Sequence, residues 1–442
     1  MNGDSNIVIV GGGFAGTTLA CALERTLPEG WRVLLVSEES YTTFNPMLAE
    51  VVGASVFPEH VVAPIRQMLG RTSRFVMARV GDVDFARRTI EANTLAGRQA
   101  IRFEHLVFAF GTRANLDLVP GLAQHALPLK LVGDALHIRN RVLQRVARIE
   151  LESDPALRRR LGHFVVIGGG FSGVEVAGEL ADFLAGARRY YPRVEADELT
   201  VSILQDRDRL LPELPASLGS AAARSLVSRG ACLQPHADGV TLEGGERLDA
   251  ATVICTIGTK PNPLVGRLTL PLERGRIVTA PDLSVSGLDR VWAIGDCALV
   301  RNHAADQNRP PEAGPAFPIA YAPPTAQFAV AQAQQLALNL AARIAGRPTR
   351  AFAHVSRGML ATTGHLKGVA QIGALRFSGL PAWLLWRAVY LLRMPTFGRK
   401  LRICVEWTWG MFFAADITHL RFTRTDEADA EPLPGPLSRT QP

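Results

Sequence analysis

Cysteine is scarce in this chain of 442 residues, and the few thiols stand far apart. Cys21, Cys232, Cys255, Cys297 and Cys404 form no C-x-x-C or C-x4-C pair, so the spacing suggests neither a metal site nor a redox-active disulfide. Isolated thiols suit a reducing compartment. Long apolar runs are missing as well: no uninterrupted stretch reaches the ~20 residues that a membrane-spanning helix needs. The first strand pattern begins at Ile7, leaving no room for a signal peptide, so the chain is expected on the cytoplasmic side. Helix-turn-helix, zinc-finger and RNA-binding signatures are also absent. The formal charge of +7 therefore points to nucleotide phosphates or an anionic lipid surface rather than to nucleic acid. With 47% hydrophobic and 20% charged residues, the chain is long enough for two or three domains with sizeable cores.

Glycine, by contrast, is placed with a pattern. Gly11-Gly12-Gly13-Phe14-Ala15-Gly16 follows the apolar run Ile7–Val10, and Gly168-Gly169-Gly170-Phe171-Ser172-Gly173 follows Phe164–Ile167. Each reads as strand, glycine turn, then helix. The glycines permit a tight turn, close backbone approach to a pyrophosphate and close packing of helix on strand. The helix N-terminus then offers N–H groups and a positive dipole end to an anion. One copy alone is weak evidence, since a glycine-rich turn explains it as well. Two copies, each in the right context, imply two dinucleotides, the arrangement of a flavoprotein reduced by a nicotinamide.

The first unit is expected to hold strand Ile7–Val10, helix Gly13–Thr26, strand Arg32–Val36 and the apolar strand ending at Gly111-Thr112. After a connection and an Arg-rich amphipathic helix near 113–160, a second unit repeats the same order. It has strand Phe164–Ile167, helix Gly170–Leu184, strand Leu199–Leu204 and the closing run Thr252–Gly258. Val291–Ile294 reads as a late strand of the first sheet, which makes the second unit an insertion in the first. A Pro- and Ala-rich loop (301–324) and a helix from about Pro324 to Ala345 follow. The expected class is α/β, with two Rossmann-like domains and a C-terminal membrane-associating region. The expected boundaries are 1–125 and 276–348 for an FAD domain, 126–275 for an NAD(P)H domain, 349–422 for the membrane region, and 423–442 for a disordered tail.

Several residues suit specific contacts. A dinucleotide fold usually ends its second strand with an acid for the adenosine ribose. Ser37 stands at that position in the first unit, with Glu38 one residue later as the candidate; a solvated loop charge is the alternative. In the second unit Gln205 takes the acid's place, near Arg207, and would repel a 2′-phosphate less than Glu does. NADH is the expected reductant, with NADPH compatible. Gly295-Asp296 ends the late strand, where a carboxylate can meet ribityl hydroxyls or simply cap a turn. Glu175 and Glu179 lie one turn apart on the second glycine-turn helix. They could complement its dipole, or Glu175 could handle a proton beside the nicotinamide or the acceptor.

The C-terminal segment crowds aromatic and basic residues together. Trp383, Trp386, Tyr390, Phe397, Trp407, Trp409 and Phe412 alternate with Arg387, Arg393, Arg399, Lys400 and Arg402. Rings with snorkelling cations favour a lipid headgroup zone, and an anionic leaflet would add attraction. A homodimer interface or a buried helix would use the same residues.

The sequence resembles the two-dinucleotide-binding-domain flavoproteins, and within them the type II, non-pumping NADH:quinone dehydrogenases, over about residues 5–420. The resemblance rests on the two glycine turns, Gly111-Thr112-Arg113, Thr256-Ile257-Gly258-Thr259-Lys260-Pro261-Asn262 and Ala293-Ile294-Gly295-Asp296. More selective are Gly173–Leu180, Pro323-Pro324-Thr325-Ala326-Gln327-Phe328-Ala329 and Gly379–Trp386. It implies FAD held by Gly11, Gly13, Phe14, Ala15, Gly16, Glu38, Gly111, Thr112, Arg113, Gly295, Asp296, Ala326 and Gln327. NAD(P)H would use Gly168, Gly170, Phe171, Ser172, Gly173, Gln205, Gly258 and Thr259. Glu175 would lie near the nicotinamide and Gln327 near the flavin ring and a membrane quinone, with no metal. Ser37, Gln205 and Ala331, the last where a second Gln is common, depart from the family pattern. The implied location is peripheral, on the cytoplasmic face of the inner membrane. The competing readings are a sulfide:quinone oxidoreductase, which needs a cysteine pair at the flavin, a soluble reductase of a protein acceptor, and a redox sensor that binds FAD and NAD(P)H without turnover.

Overall fold

A computed structural model describes residues 5–235, 249–304 and 320–420. The expected tail, 423–442, and most of the expected 301–324 loop lie outside the described residues. Two compact units are present. One takes the chain up to Thr43, then Val62–Arg113 and Thr259–Arg357. The other takes Phe44–Val61, Ala114–Gly258 and the chain from Gly358 onward.

The first unit is built on a seven-stranded sheet. Its order is Val291–Ala293, His105–Phe108, Ser5–Val10, Trp31–Ser37, Ser73–Asp84, Thr89–Thr94 and Gly97–Arg102. The first five are parallel, with Val10 opposite Val36 and Val8 opposite Leu106. Parallel strands covered on both faces must be apolar throughout, and Ile7, Val8, Ile9 and Leu35 are completely buried. Val291–Ala293 joins beside His105–Phe108, so the late strand completes a sheet begun at the chain's start. The last two strands run antiparallel and form a hairpin that periodicity had not marked. Helix Phe14–Thr26 packs against helix Ala326–Ile344 over this sheet. Small residues at the crossing permit the approach: Ala15, Ala22, Ala329, Ala333 and Ala337 are all buried.

The second unit carries a five-stranded parallel sheet in the order Ala126–Pro128, Thr252–Cys255, His163–Ile167, Thr200–Gln205 and Ala231–Pro235. Phe164, Val165 and Val166 at its centre are fully buried. Helices Val132–Leu151, Phe171–Arg188 and Ala216–Val227 belong to it, and the short helix Leu48–Val52 packs on the first two. From Met359 the chain makes a three-stranded antiparallel sheet, then helices Leu380–Arg393 and Phe397–Trp409. Among the described residues no helix is long and apolar enough to cross a membrane.

Candidate functional site

The two glycine turns fold to nearly the same geometry, each within its own unit. Gly11 N–H donates to Val36 O and Gly168 N–H to Leu204 O, both at 2.8 Å. Both glycines have positive φ, +120° and +111°, a region that L side chains avoid. A Cβ on Gly16 would overlap the Gly11 carbonyl oxygen, and one on Gly173 would overlap the Gly168 oxygen. Here helix meets strand too closely for any side chain. Gly13 and Gly170 are different: a Cβ on either would meet nothing within 4 Å. Each stands at the start of a helix that no side chain caps and whose first turn holds no acid. Each cradle is therefore open in front of uncapped N–H groups, as a pyrophosphate requires.

Around the first cradle the structure gathers several of the expected residues. Gly295-Asp296 forms a short 3-10 turn after the late strand, and a Cβ on Gly295 would lie 3.1 Å from that of Ala15. Gln332, which the sequence did not single out, receives the Gly295 N–H on Oε1 at 2.7 Å while almost fully buried. It lies next to Ala331, and only the packed helix reveals which of the two faces inward. The buried hydroxyl of Thr112 makes no hydrogen bond within the described protein, as expected of a group that meets a ligand. Gln327, in the first turn of helix Ala326–Ile344, has its amide nitrogen 3.5 Å from His354 Nε2 and receives the Ser356 hydroxyl at 3.4 Å. Glu38 is half exposed and held by two guanidinium groups, Arg79 at 3.0 Å and Arg113 at 3.3 Å. Cys297 is the thiol of this region. It is buried, donates to backbone carbonyls, and is pushed up to about 12 by desolvation, so it stays protonated.

The second cradle differs at its strand end. Gln205 does not reach outward: its Oε1 accepts the Gly169 N–H at 2.7 Å, and the residue is buried. Arg207 lies on the exposed surface beyond it. Thr256 closes the turn from the other side, its hydroxyl donating to Ile167 O at 2.7 Å. Gly258 has φ +71° and an exposed neighbour, Thr259.

Glu175 and Glu179 are not surface charges complementing a helix dipole. Both are buried, at 7% and 6% exposure. Trp386 Nε1 donates to Glu175 at 3.0 Å and the Thr362 N–H at 3.3 Å. The Ser55 hydroxyl donates to Glu179 at 2.7 Å. A third carboxyl, Glu50 on the short helix, is also buried and receives Trp407 Nε1 on both oxygens, at 3.1 and 3.3 Å. Desolvation holds all three above the usual carboxylate range: Glu175 at about 8, Glu179 at about 7, and Glu50 well up. Trp383, Trp386 and Trp407, expected among lipid-facing rings, are thus interior residues, two of them indole donors to acids. A buried indole N–H needs an acceptor, and a buried carboxyl needs a donor. Sequence spacing carries no trace of that pairing.

The family model for pyridine nucleotide-disulphide oxidoreductases matches residues 5–333. The chain belongs to this family. It is 28% identical to the type II NADH:quinone oxidoreductase Ndh of Mycobacterium tuberculosis, covering 91% of this chain and 87% of that protein. It is likewise 28% identical to the demethylphylloquinone reductase NdbB of a Synechocystis strain, covering 91% of this chain and 95% of the relative. Among solved structures, the NDH2 of Plasmodium falciparum in complex with NADH superposes with a TM-score of 0.83 at 17% identity. That match covers 94% of this chain and all of the other, and shows the shared fold.

Proposed function

We propose that this protein is a type II NADH:quinone oxidoreductase, an FAD enzyme that oxidises NADH and reduces a quinone at a membrane surface. The observation that carries the reading is the pair of open, uncapped glycine cradles in a chain whose relatives are named for this reaction. FAD, when bound, supplies the chemistry of accepting a hydride and releasing electrons. The chain supplies position. The backbone of Gly11–Gly16 holds one pyrophosphate, Glu38 the adenosine ribose, Thr112 and Gly295-Asp296 the flavin side, and Ala326-Gln327 the ring. The backbone of Gly168–Gly173 holds the second pyrophosphate, with Gly258-Thr259 alongside. Gln205 braces the turn without adding negative charge, so NADPH is rejected less firmly than an acid would reject it. Oxidation of NADH by a quinone consumes one proton besides the hydride, and Glu175, kept protonated by burial, is the group that supplies it.

The membrane reading rests on a solvent-facing stripe. On the last described helix Phe397, Leu401, Val405 and Trp409 recur every four residues, and all are exposed, while Ile403 and Trp407 face inward. Phe412 and Phe413 extend the stripe, with Arg393 and Arg402 exposed near it. An amphipathic helix of this kind lies in the headgroup zone, here on the cytoplasmic face.

Stopped-flow mixing of the yellow holoprotein with NADH should bleach the flavin, and a short-chain quinone should restore it. A colourless protein that cannot be reconstituted with FAD would end this reading. The double variant Phe397→Ser, Leu401→Ser should bind anionic liposomes at least roughly tenfold more weakly. Unchanged binding together with dissociation of a dimer would assign the stripe to a homodimer interface instead.

A further inference from the structure

We propose that Glu50 and Glu179, with Arg387, form a proton store behind Glu175, refilling from within the protein the carboxyl assigned above to the acceptor's proton. This deepens the proposed function and rests on it.

The store is assembled from four helices of the second unit. Glu50 comes from Leu48–Val52, Glu175 and Glu179 from Phe171–Arg188, Arg387 from Leu380–Arg393, and Trp407 from Phe397–Trp409. The donors that reach the carboxyls are neutral: two indole N–H groups, one hydroxyl and one backbone N–H. Half-buried Arg387 attracts both Glu50 and Glu179, and Arg229 attracts Glu179 as well. Its guanidinium lies over the ring of Trp383 at 3.6 Å and near that of Trp407 at 4.8 Å, so the stacked rings fix its place.

Charge counting then sets the protonation. Three ionised carboxyls facing one guanidinium would leave two uncompensated negative charges in a buried site. The cluster therefore retains protons near neutral pH, and each ionisation makes the next harder, so the groups titrate together. Asp182 and Arg229 act on Glu179 with opposite signs and so leave this count unchanged, and His365, whose ring lies against Trp383, is pushed down by burial. Glu406 pairs with His60 at 2.8 Å, and Asp182 with Arg229 at 2.9 Å. Arg139 of helix Val132–Leu151 responds to Asp416 and Glu59. Tyr390, whose ring lies 4.6 Å from that of Trp386, is a neutral phenol pushed up by burial.

The balance of the reaction asks for such a store. NADH and a quinone give NAD+ and a quinol with the uptake of one proton, since the hydride carries two electrons and the other proton. When Glu175 gives up its proton, its carboxylate is left buried with only neutral donors on it. Protonated Glu179 or Glu50 returns a proton to it, and the medium recharges the store.

The test uses the full-length holoprotein, with Glu50→Gln and, as a second variant should that one fail to fold, Glu179→Gln. Infrared difference spectra between acid and alkaline pH in H2O and D2O read the C=O stretch of protonated buried carboxyls without turnover. Each variant should lose one such band. The alkaline limb of quinone turnover should also move by about one pH unit toward acid, while turnover with ferricyanide, which takes up no proton, keeps the wild-type limb. A variant that lowers Tm but leaves both band and limb in place would make the cluster purely structural and overturn the proposal. If the wild type bleaches with NADH yet reduces no quinone, the proposed function fails, whereas the infrared result still decides whether the store exists.

Discussion

The two cradles share a backbone and differ in what stands at the strand end. In the first unit, Glu38 is half exposed and gripped by Arg79 and Arg113. In the second, Gln205 is buried and turned back to brace the Gly169 N–H. Glycine placement sets the anion cradle, because the constraint there is steric and the donors are backbone groups. Recognition of the rest of a dinucleotide falls to side chains, which can differ without disturbing the cradle. The units differ a second time in their acids: the second encloses three carboxyls where the first keeps its candidate acid at the surface.

The largest effects should come from filling one cradle at a time. Gly16→Val should purify largely colourless, while Gly173→Val should stay yellow and lose NADH-driven bleaching. In each case, overlap with backbone should cost at least about 3 kcal/mol, roughly 100-fold in affinity for the corresponding nucleotide. If both variants lost the same ligand, the assignment of one nucleotide to each cradle would be wrong.

Next in size is a pH effect confined to the second unit. The folded state holds the Glu175 carboxyl at about 8 against an ordinary 4.5, so folding favours its protonated form. The stability this contributes is full below the ordinary value and is lost as pH rises through about 8. Glu175→Gln should flatten the fall in Tm over that window, with a difference of up to about 4 kcal/mol at its alkaline end. Parallel melting curves for variant and wild type would show that the group is not proton-bound in the fold.

Gln205→Glu places a charge beside the second cradle only. The ratio of NADPH to NADH efficiency should fall by about tenfold, the effect of one nearby like charge on a 2′-phosphate. An unmoved ratio would remove Gln205 as a selector. Glu38→Gln should have the smallest effect, a two- to threefold weaker hold on FAD by equilibrium dialysis, because an exposed ion pair contributes only about 0.5 kcal/mol.

Much of the frame was legible because it is local. A glycine turn between an apolar strand and a small-residue helix is written in contiguous residues, as at Val10–Gly16 and Ile167–Gly173. The late strand Val291–Ala293 could be assigned to the first sheet because a lone buried strand needs a partner. The pairings across long separations were not legible. Trp386 and Trp407 looked like lipid-facing rings because their neighbours are aromatic and basic, yet they face Glu175 and Glu50, far away along the chain. Gln332 escaped notice beside Ala331, and the hairpin Thr89–Arg102 lacks a strong turn signal.

Sequence by itself settled that there are two glycine cradles, each between a buried strand and a helix, and the absence of a closely spaced cysteine pair. Each of these follows from residue size and backbone freedom over a few positions. Folding alone decided which polar residues turn inward. It set Gln205 against its own glycine turn, gathered three buried acids and an arginine within the second unit, and left Phe397, Leu401, Val405 and Trp409 facing out. The reason is that burial, and the hydrogen-bond partner it demands, depend on what packs from elsewhere in the chain.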